Sequence, residues 1–268
     1  MRTQVMDLDY DMPPILNEAV TVSRAWSAME DDKHISAIPV TDDEGRLRGM
    51  LTAGDIAGFD METIDAPDLR SVPLFNILSV LEGQLLGETE EVVNAISGEV
   101  ILALPQSGEL PPFRQRETVL ICGNQPDMLR AAVEFGVACV VLCQAELPEE
   151  IRTRVKNTCI ISTPYDGLRA VRRIFQAIPV SRLAQKGEIT SFHLEDYIDD
   201  VREIVLQSRY RSYPILDSQE RVVGTLSRYH LIKPRRKRVV LVDHNEAAQS
   251  VPGLEQADVL AIIDHHRL

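Results

Sequence analysis

The sequence predicts an α/β protein, and three observations carry this prediction. A stretch of twenty residues, Ala37 to Ile56, recurs without a gap at an offset of 175, from Ser212 to Leu231. Between the copies, apolar strand-like runs alternate with amphipathic helical patterns, which is typical of a mainly parallel sheet with packed helices. After the second copy, two apolar runs each end in a cluster of acidic and histidine residues. Internal repetition of this kind indicates several units in one chain.

Composition and charge restrict the class of protein. The 268 residues are 44% hydrophobic, and 41 acidic against 28 basic residues give a net charge of −13. This charge argues against a general nucleic-acid or anionic-membrane surface, although "KPRRKR" at 233–238 is a local basic run. No run of about 18 apolar residues predicts a membrane helix, and "MRTQVMDLDYDMPP" lacks the apolar segment of a signal peptide. We therefore expect a cytoplasmic protein with no nucleic-acid or membrane partner.

The cysteines fit this expectation. All four lie in apolar strand-like surroundings such as "VACVVLCQ", where cysteine packs as a small hydrophobic residue. Cys139 and Cys143 have a CxxxC spacing, but no second pair with ligand spacing accompanies them. The sequence predicts buried free thiols at Cys122, Cys139, Cys143 and Cys159.

Each copy of the repeat predicts strand, turn, strand and short helix. "ISAIPV", "LRGMLT" and "VVGTLS" are apolar strands, and "TDDEG" and "LDSQE" are turns in which Asp accepts backbone hydrogen bonds and Gly45 tolerates positive φ. The hydroxyls of Thr52 and Ser227 stand where they can cap the following helix. Upstream, "TVSRAWSAME" and "DYIDDVREIVLQ" predict amphipathic helices, with Trp26 expected in the core.

This pattern closely resembles a CBS domain (Bateman module), because "G-x-x-T-x-x-D-I" closes the first copy with Gly49, Thr52 and Asp55 in place. The resemblance implies a pair of copies that binds adenine nucleotides in the cleft between them, with Thr or Ser on phosphate and Asp on ribose. A hydroxyl beside a helix N-terminus suits an anion, and a carboxylate can accept both ribose O–H groups. The resemblance makes four residues of the first copy candidate nucleotide contacts: Ile38, Pro39, Thr52 and Asp55.

The second copy departs from the pattern, because His230 stands where Asp55 stands in the first. A ribose contact there is therefore open, but Arg228 beside Ser227 can form bidentate bonds with phosphate. Within "SRYRSYP", Tyr213 is expected either to stack on an adenine or to be a half-buried strand residue. The candidate nucleotide contacts of this copy are Arg211, Tyr213, Ser227, Arg228 and His230.

The segment between the copies is too long for a linker. "GEVILALP", "ETVLICG", "VACVVLC" and "NTCIIST" predict strands, and "DMLRAAVEFG", "PEEIRTRVK" and "DGLRAVRRIFQAI" predict helices. "STPYDGLRAVRRI" resembles part of a DRTGG-type (DRTGL) domain, although the Asp-Arg-Thr-Gly string itself is absent. We expect a spacer and dimerisation domain, with Asp166 as a helix cap and Tyr165 as a packing residue.

The last segment predicts a metal site. "RVVLVDHNE" is predicted as a buried strand and "ADVLAIIDHH" as a second strand, and carboxylate and imidazole suit Mn or Co. The stretch strongly resembles the DHH phosphoesterase superfamily, and most closely its family II, manganese-dependent inorganic pyrophosphatases. By this resemblance Asp243 bridges two metal ions (Mn, or Co or Mg), His265 binds one of them, and His266 contacts a substrate phosphate. His244 and Asp264 are expected to orient the site.

Some members of that family carry a CBS pair, with a DRTGL-type domain between the copies, just before "VDHNE". The resemblance implies CBS copy 1 at 1–61, a DRTGG-like α/β domain at 62–178, CBS copy 2 at 179–233 and a partial parallel-sheet DHH domain at 234–268. The family's N-terminal GHxxPDxD motif and C-terminal substrate domain do not occur in the sequence. We therefore expect a piece of a longer enzyme that is inactive on pyrophosphate alone.

The sequence thus predicts an adenine-nucleotide-binding regulatory region of an inorganic pyrophosphatase, which hydrolyses diphosphate to two phosphates. The expected regulatory ligands are AMP, ADP, ATP or diadenosine polyphosphates, and a homodimer through the CBS helices is expected. Two alternatives stay open: a DHH-type phosphohydrolase completed by oligomerisation, and a structural dimerisation module without a ligand. Pyrophosphate hydrolysis by the isolated chain would favour the first alternative, and a melting temperature insensitive to nucleotides the second.

Overall fold

The computed structural model describes residues 2–65, 67–86, 93–103, 112–232, 238–243, 254 and 257–263. The chain divides into two compact units, each made of separate segments. The first unit comprises Met1–Asn17, His34–Met50 and Gln185–Leu268, and the second comprises Glu18–Lys33 and Leu51–Ala184. Within the described residues, no helix is both long enough and apolar enough to cross a membrane.

The described helices and strands follow the predicted alternation. The helices are α1 (Val22–Asp31), α2 (Ala53–Asp65), α3 (Leu74–Leu81), α4 (Pro126–Phe135), α5 (Glu149–Arg152), α6 (Gly167–Phe175), α7 (Ile198–Gln207) and α8 (Arg228–Ile232). The strands are β1 (Leu16–Asn17), β2 (Ala37–Thr41), β3 (Leu47–Thr52), β4 (Asp68–Pro73), β5 (Gln84–Leu86), β6 (Ala95–Leu102), β7 (Thr118–Cys122), β8 (Cys139–Cys143), β9 (Cys159–Thr163), β10 (Phe192–His193), β11 (Ser212–Leu216), β12 (Val222–Ser227), β13 (Arg238–Val242) and β14 (Asp258–Ile263).

The two copies of the repeat form matching three-stranded sheets, in the orders β1-β2-β3 and β10-β11-β12. In the second copy β10 runs parallel to β11, and β11 pairs antiparallel with β12. The predicted turn chemistry is confirmed: Asp42 accepts the Glu44 and Arg46 N–H groups, and Asp217 accepts those of Gln219 and Arg221. Gly45 has a φ of 81°.

The N-terminal segment, residues 2–11, packs against the second copy. Val5 and Leu8 are buried in one core with side chains of α7, β11 and β12. Asp11 and Thr225 exchange two backbone hydrogen bonds of 3.1 and 2.9 Å. The segment therefore covers the core of the second copy and bridges the β12 edge of its sheet at Asp11, a role that the sequence did not predict.

The second unit is built on a six-stranded sheet in the order β4-β6-β7-β8-β9-β5. Strands β6 to β9 are parallel, and β4 and β5 pair antiparallel at the two edges. One face packs against α3 and α6, and the other against α4 and α5. The predicted α/β layer is confirmed, although the helix expected in "PEEIRTRVK" is shortened to the four residues of α5.

All four cysteines are buried free thiols, as predicted. Burial raises the pKa of Cys122 to about 12 and that of Cys143 to about 11, so neither thiol is a nucleophile near neutral pH. The prediction for Trp26 was wrong: it is 40% exposed, because Val22, Ala25 and Met29 form the buried stripe of α1 and Trp26 lies beside that stripe.

Strands β13 and β14 pair in parallel, as expected for the last segment. The predicted burial was wrong, because five of their apolar side chains are about half exposed or more. Parallel sheets normally have both faces covered. Among the described residues, no buried cluster includes either strand.

Candidate functional site

In the first copy, Thr52 and Asp55 form a compact hydrogen-bonded pair where β3 passes into α2. Asp55 Oδ2 accepts the Thr52 N–H at 2.8 Å and the Thr52 hydroxyl at 2.6 Å. The Thr52 hydroxyl in turn accepts the Asp55 N–H at 3.2 Å, which confirms its predicted capping role. Both side chains are half-buried, so one edge of each remains at the surface.

In the second copy, Ser227 and His230 form the corresponding pair. His230 Nδ1 lies 3.0 Å from both the Ser227 N–H nitrogen and the Ser227 hydroxyl. The other ring nitrogen, Nε2, lies 3.5 Å from Oδ1 of Asp11. The imidazole therefore occupies the place of the Asp55 carboxylate, and it lies beside an acidic side chain of the N-terminal segment, Asp11.

Two exposed arginines of the second copy, Arg228 and Arg211, are the candidate charged partners of this pair. Arg228, directly after Ser227, donates a hydrogen bond to the Ser208 carbonyl and so ties the start of α8 to the segment that precedes β11. Arg211 lies in that same segment and is exposed. Guanidinium groups placed in this way can bind phosphate by two parallel hydrogen bonds.

Tyr213 does not fit the expected adenine contact. The side chain is fully buried, its ring lies 5.5 Å from that of Phe192, and its hydroxyl donates to the Tyr210 carbonyl at 2.8 Å. The inward-facing position on β11 explains this burial, because neighbouring side chains of a strand alternate between its faces. The structure therefore supports packing rather than stacking for this ring.

Ile38 and Pro39 lie inside β2 and are also buried. The Ile38 side chain is fully buried in the interior of the first copy. A ligand at this stretch would therefore contact main-chain atoms and not this side chain. Their proposed contact with a nucleotide stays a prediction.

The predicted metal cluster lies mostly outside the described residues, namely at His244, Asp264, His265 and His266. Asp243 is described: its N–H donates to the Ile263 carbonyl at 2.7 Å, and its φ is 64°. Within the part of the chain that the structure describes, no group of three acidic, histidine or cysteine residues could hold a metal ion. One carboxylate does not make a two-metal site.

At the carboxyl ends of β8 and β9, Asp166 accepts the Arg169 N–H and caps α6, as predicted. Tyr165 does more than pack. Its hydroxyl donates to Glu82 at 2.5 Å, which raises the pKa of Tyr165, and the Arg173 guanidinium lies 4.1 Å from the centre of its ring.

Asp11 and Tyr10 are residues of interest that the sequence did not indicate. Their segment, "DLDYDM", alternates acidic and apolar residues as a half-buried strand does, but its partners lie more than 200 residues later in the chain, where sequence spacing alone does not find them. The glycine at position 224 is the sequence feature that reflects this packing, because a Cβ there would lie 2.5 Å from the Tyr10 ring.

The comparisons with known families match most of the described chain. The CBS domain matches residues 5–62 and 167–236, and the DRTGG domain matches residues 76–177. Two family matches thus enclose a third, in the order expected from the repeat and its spacer.

Two curated relatives match almost the whole length of this chain. A cobalt-dependent inorganic pyrophosphatase of Clostridium perfringens is 34% identical over 275 residues, which is 100% of this chain and 49% of that protein. A probable manganese-dependent inorganic pyrophosphatase of Thermotoga maritima is 27% identical over 98% of this chain and 48% of its own length. The chain spans about half the length of these relatives.

A solved structure is similar at the level of the fold. It contains the CBS and DRTGG domains of the regulatory region of the Clostridium perfringens pyrophosphatase, complexed with its activator, diadenosine tetraphosphate. The match has 29% identity and a TM-score of 0.75, and it covers 84% of this chain and 100% of that chain.

Proposed function

We infer that this chain, which carries CBS and DRTGG domains in the order found in the regulatory region of an inorganic pyrophosphatase, is itself such a region and binds adenine nucleotides. The observation that carries this proposal is the structural match over 84% of the chain to a regulatory region in complex with diadenosine tetraphosphate. The paired Thr52–Asp55 and Ser227–His230 arrangements support it, because the sequence repeat places them at equivalent positions.

The proposed contacts divide by chemistry. Thr52 and Ser227 offer hydroxyl and N–H donors to phosphate, with Arg228 and Arg211 as charged partners in the second copy. Asp55 accepts hydrogen bonds from ribose hydroxyls, as carboxylates can. A nucleotide bound more tightly by one conformation shifts the population toward it, which is how the region would regulate an enzyme.

The enzyme that we propose for the complete protein hydrolyses diphosphate to two phosphates in the cytoplasm. Mn or Co would be held in part by Asp243 and His265, with His266 on a substrate phosphate. Such ions generate a nucleophile from water and neutralise charge on phosphate oxygens. The domain limits at 61, 178 and 233 are part of the same proposal.

Thermal melting tests the nucleotide proposal. AMP, ADP, ATP or diadenosine tetraphosphate at ~100 times its dissociation constant should add ~2.7 kcal/mol to the free energy of unfolding. Thr52→Val should reduce the ligand-induced rise in melting temperature, because the hydroxyl donor is lost. Asp55→Ala should reduce the preference for AMP over 2′-deoxy-AMP.

Thr158→Val is the matched control, since the Thr158 hydroxyl is buried without a hydrogen-bond partner in the described structure. This variant should keep the full ligand-induced shift. If millimolar nucleotide leaves the melting temperature of the wild-type chain unchanged, the proposal is wrong and the ligand-free module is the better reading.

A further inference from the structure

The two copies of the repeat differ in what the capping side chain can accept from a ligand. In the first copy the cap is a carboxylate, which can take about four hydrogen bonds, so Asp55 can hold Thr52 and also accept from ribose hydroxyls. In the second copy the cap is His230, whose Nδ1 accepts the Ser227 N–H at 3.0 Å. An imidazole that accepts at Nδ1 carries its hydrogen on Nε2, so it offers a ribose no acceptor. A ribose bound in the second copy therefore needs an acceptor from another residue.

Asp11, of the N-terminal segment, is the acidic side chain that lies beside this cap. Its Oδ1 is 3.5 Å from Nε2 of His230. The side chain of His230 is only 8% exposed, whereas that of Asp11 is 67% exposed. A ligand at this surface can therefore reach the Asp11 carboxylate, while the imidazole is almost fully covered.

The position of Asp11 is set by its backbone and by its neighbour in the chain. Its N–H and C=O exchange hydrogen bonds of 3.1 and 2.9 Å with Thr225, two residues before Ser227. The Tyr10 ring packs against Gly224, where a Cβ would lie 2.5 Å from it. Neither contact uses the Asp11 carboxylate, so this side chain can be replaced without removing what holds the segment.

The first copy has the corresponding main-chain pairing with a different side chain. Met50, which the offset of 175 carries onto Thr225, exchanges two backbone hydrogen bonds of 3.3 and 2.9 Å with Gln185. Gln185 and Asp11 therefore occupy equivalent places, beside β3 and β12. The first copy has a carboxylate in its cap and an amide on the neighbouring segment, whereas the second has an imidazole in its cap and a carboxylate on the segment. Each copy thus keeps one carboxylate, at alternative positions.

We propose that Asp11 is the ribose-binding residue of the second copy and that it selects ribonucleotides over 2′-deoxyribonucleotides there. This inference rests on the nucleotide binding proposed above and adds a residue that lies outside the repeat. The Asp11 carboxylate accepts hydrogen bonds from the ribose hydroxyls, the role proposed for Asp55 in the first copy. A 2′-deoxyribose lacks one of these donors and binds more weakly.

Calorimetric titration with AMP and with 2′-deoxy-AMP tests the proposal in the Asp55→Ala chain, whose first copy has lost its ribose acceptor. We expect this chain to bind AMP about tenfold more tightly than 2′-deoxy-AMP, because one hydrogen bond to a charged acceptor accounts for a difference of this size. Adding Asp11→Ala should bring the two dissociation constants to within about twofold of each other. Asp11→Asn in its place keeps one acceptor oxygen and should retain part of the preference.

Asp9→Ala, added to the same Asp55→Ala chain, is the matched control, because it removes another exposed carboxylate of the same segment. This variant should keep the tenfold preference for AMP. If the Asp55→Ala chain binds neither nucleotide, the same comparison is made in the wild-type chain, where Asp11→Ala should lower the preference and Asp9→Ala should not.

Three results overturn the role of Asp11 alone. They are equal binding of the two nucleotides by the Asp55→Ala chain, a preference that survives Asp11→Ala whatever happens to the affinity for both, and an equal loss of preference with Asp9→Ala. Absence of AMP binding by the wild-type chain overturns the proposed nucleotide function as well.

Discussion

At the scale of single residues, the two copies of the repeat form the same turn with different residues at its left-handed position. Gly45 adopts a φ of 81° in the first copy, and Glu220 holds a φ of 62° at the equivalent place in the second. A left-handed conformation costs a non-glycine residue roughly 1 kcal/mol. At this position the Glu220 carboxylate accepts a hydrogen bond from His193 Nε2 at 2.9 Å, an interaction that glycine cannot make.

This contact predicts a pH-dependent contribution to stability. The hydrogen bond to the Glu220 carboxylate raises the pKa of His193 above its ordinary value. The stabilisation is therefore complete below the histidine pKa of the unfolded chain and is lost as pH rises through the folded value. His193→Gln should lower the free energy of unfolding more at pH 5.5 than at pH 8.5.

Chemical denaturation at the two pH values measures this difference. It should be no more than about 1 kcal/mol, because both side chains are more than a third exposed and screened by solvent. Glu220→Gln is the matched control and should abolish the same pH dependence. An equal loss at both pH values in His193→Gln would contradict the assignment.

Residue-level predictions succeeded where the cause is local. The Thr52 and Asp166 caps involve partners three residues away, so sequence spacing alone reveals them. Tyr213 and Trp26 were different, because burial of a large ring depends on which face of its strand or helix meets the core. The helical periodicity around Trp26 did not distinguish whether Trp26 or its neighbour Ala25 faces the core. In the structure Ala25 is buried and the Trp26 ring is 40% exposed.

At the scale of elements, the sequence predicted the central strands of the six-stranded sheet but not its edge strands, β4 and β5. Parallel strands covered on both faces give short continuous apolar runs, such as "TVLIC" in β7 and "CVVLC" in β8. The edge strand β4, "DLRSVP", mixes charged and apolar residues and contains a bulge. Helix α3 was not predicted, because its apolar sequence "LFNILSVL" is preceded by Pro73, which offers no side-chain cap.

The packing of Tyr10 and Asp11 against β12 gives a prediction at this scale. Gly224→Ala places a Cβ about 2.5 Å from the Tyr10 ring and 2.8 Å from the Asp11 carbonyl. Because one of these atoms is backbone, the segment must shift, and we expect a loss of about 1–3 kcal/mol in unfolding free energy. Thermal or denaturant unfolding measures this loss.

Gly58→Ala is the matched control, because nothing lies within 4 Å of a Cβ at that position in α2. Alanine is favoured over glycine in helices, so this variant should be neutral or more stable by up to about 1 kcal/mol. If Gly224→Ala is as stable as Gly58→Ala, then residues 2–11 do not pack on β12 in solution.

At the scale of the whole molecule, exposed apolar side chains mark a surface that the single chain leaves uncovered. On α7 and α8 of the first unit, Leu206, Tyr229 and Ile232 are each at least 70% exposed, and Ile204 is 48% exposed. Helices α7 and α8 are neighbours, and exposed apolar side chains grouped on neighbouring elements are typical of an interface. We propose that these two helices form the contact between two copies of the chain.

Light scattering tests this proposal. The wild-type chain at micromolar concentration should have twice its 30.0 kDa mass. Leu206→Glu combined with Ile232→Glu should shift the mass toward the monomer, because charges at an apolar interface are costly to bury. Leu168→Glu, at a residue of α6 in the second unit that is 66% exposed, should remain dimeric. A monomeric wild-type chain would refute the proposal.

The placement of residues 2–11 has a consequence for the order of assembly during synthesis. Val5 donates to the Asp196 carbonyl and Asp11 pairs with Thr225, so the segment leaves the ribosome long before its partners exist. At translation rates of ~5–20 residues per second, the apolar Val5 and Leu8 wait on the order of 10–40 s. Folding of this unit is therefore held back until translation has passed Thr225, and a nascent chain stalled earlier exposes an unfinished sheet edge open to wrong partners.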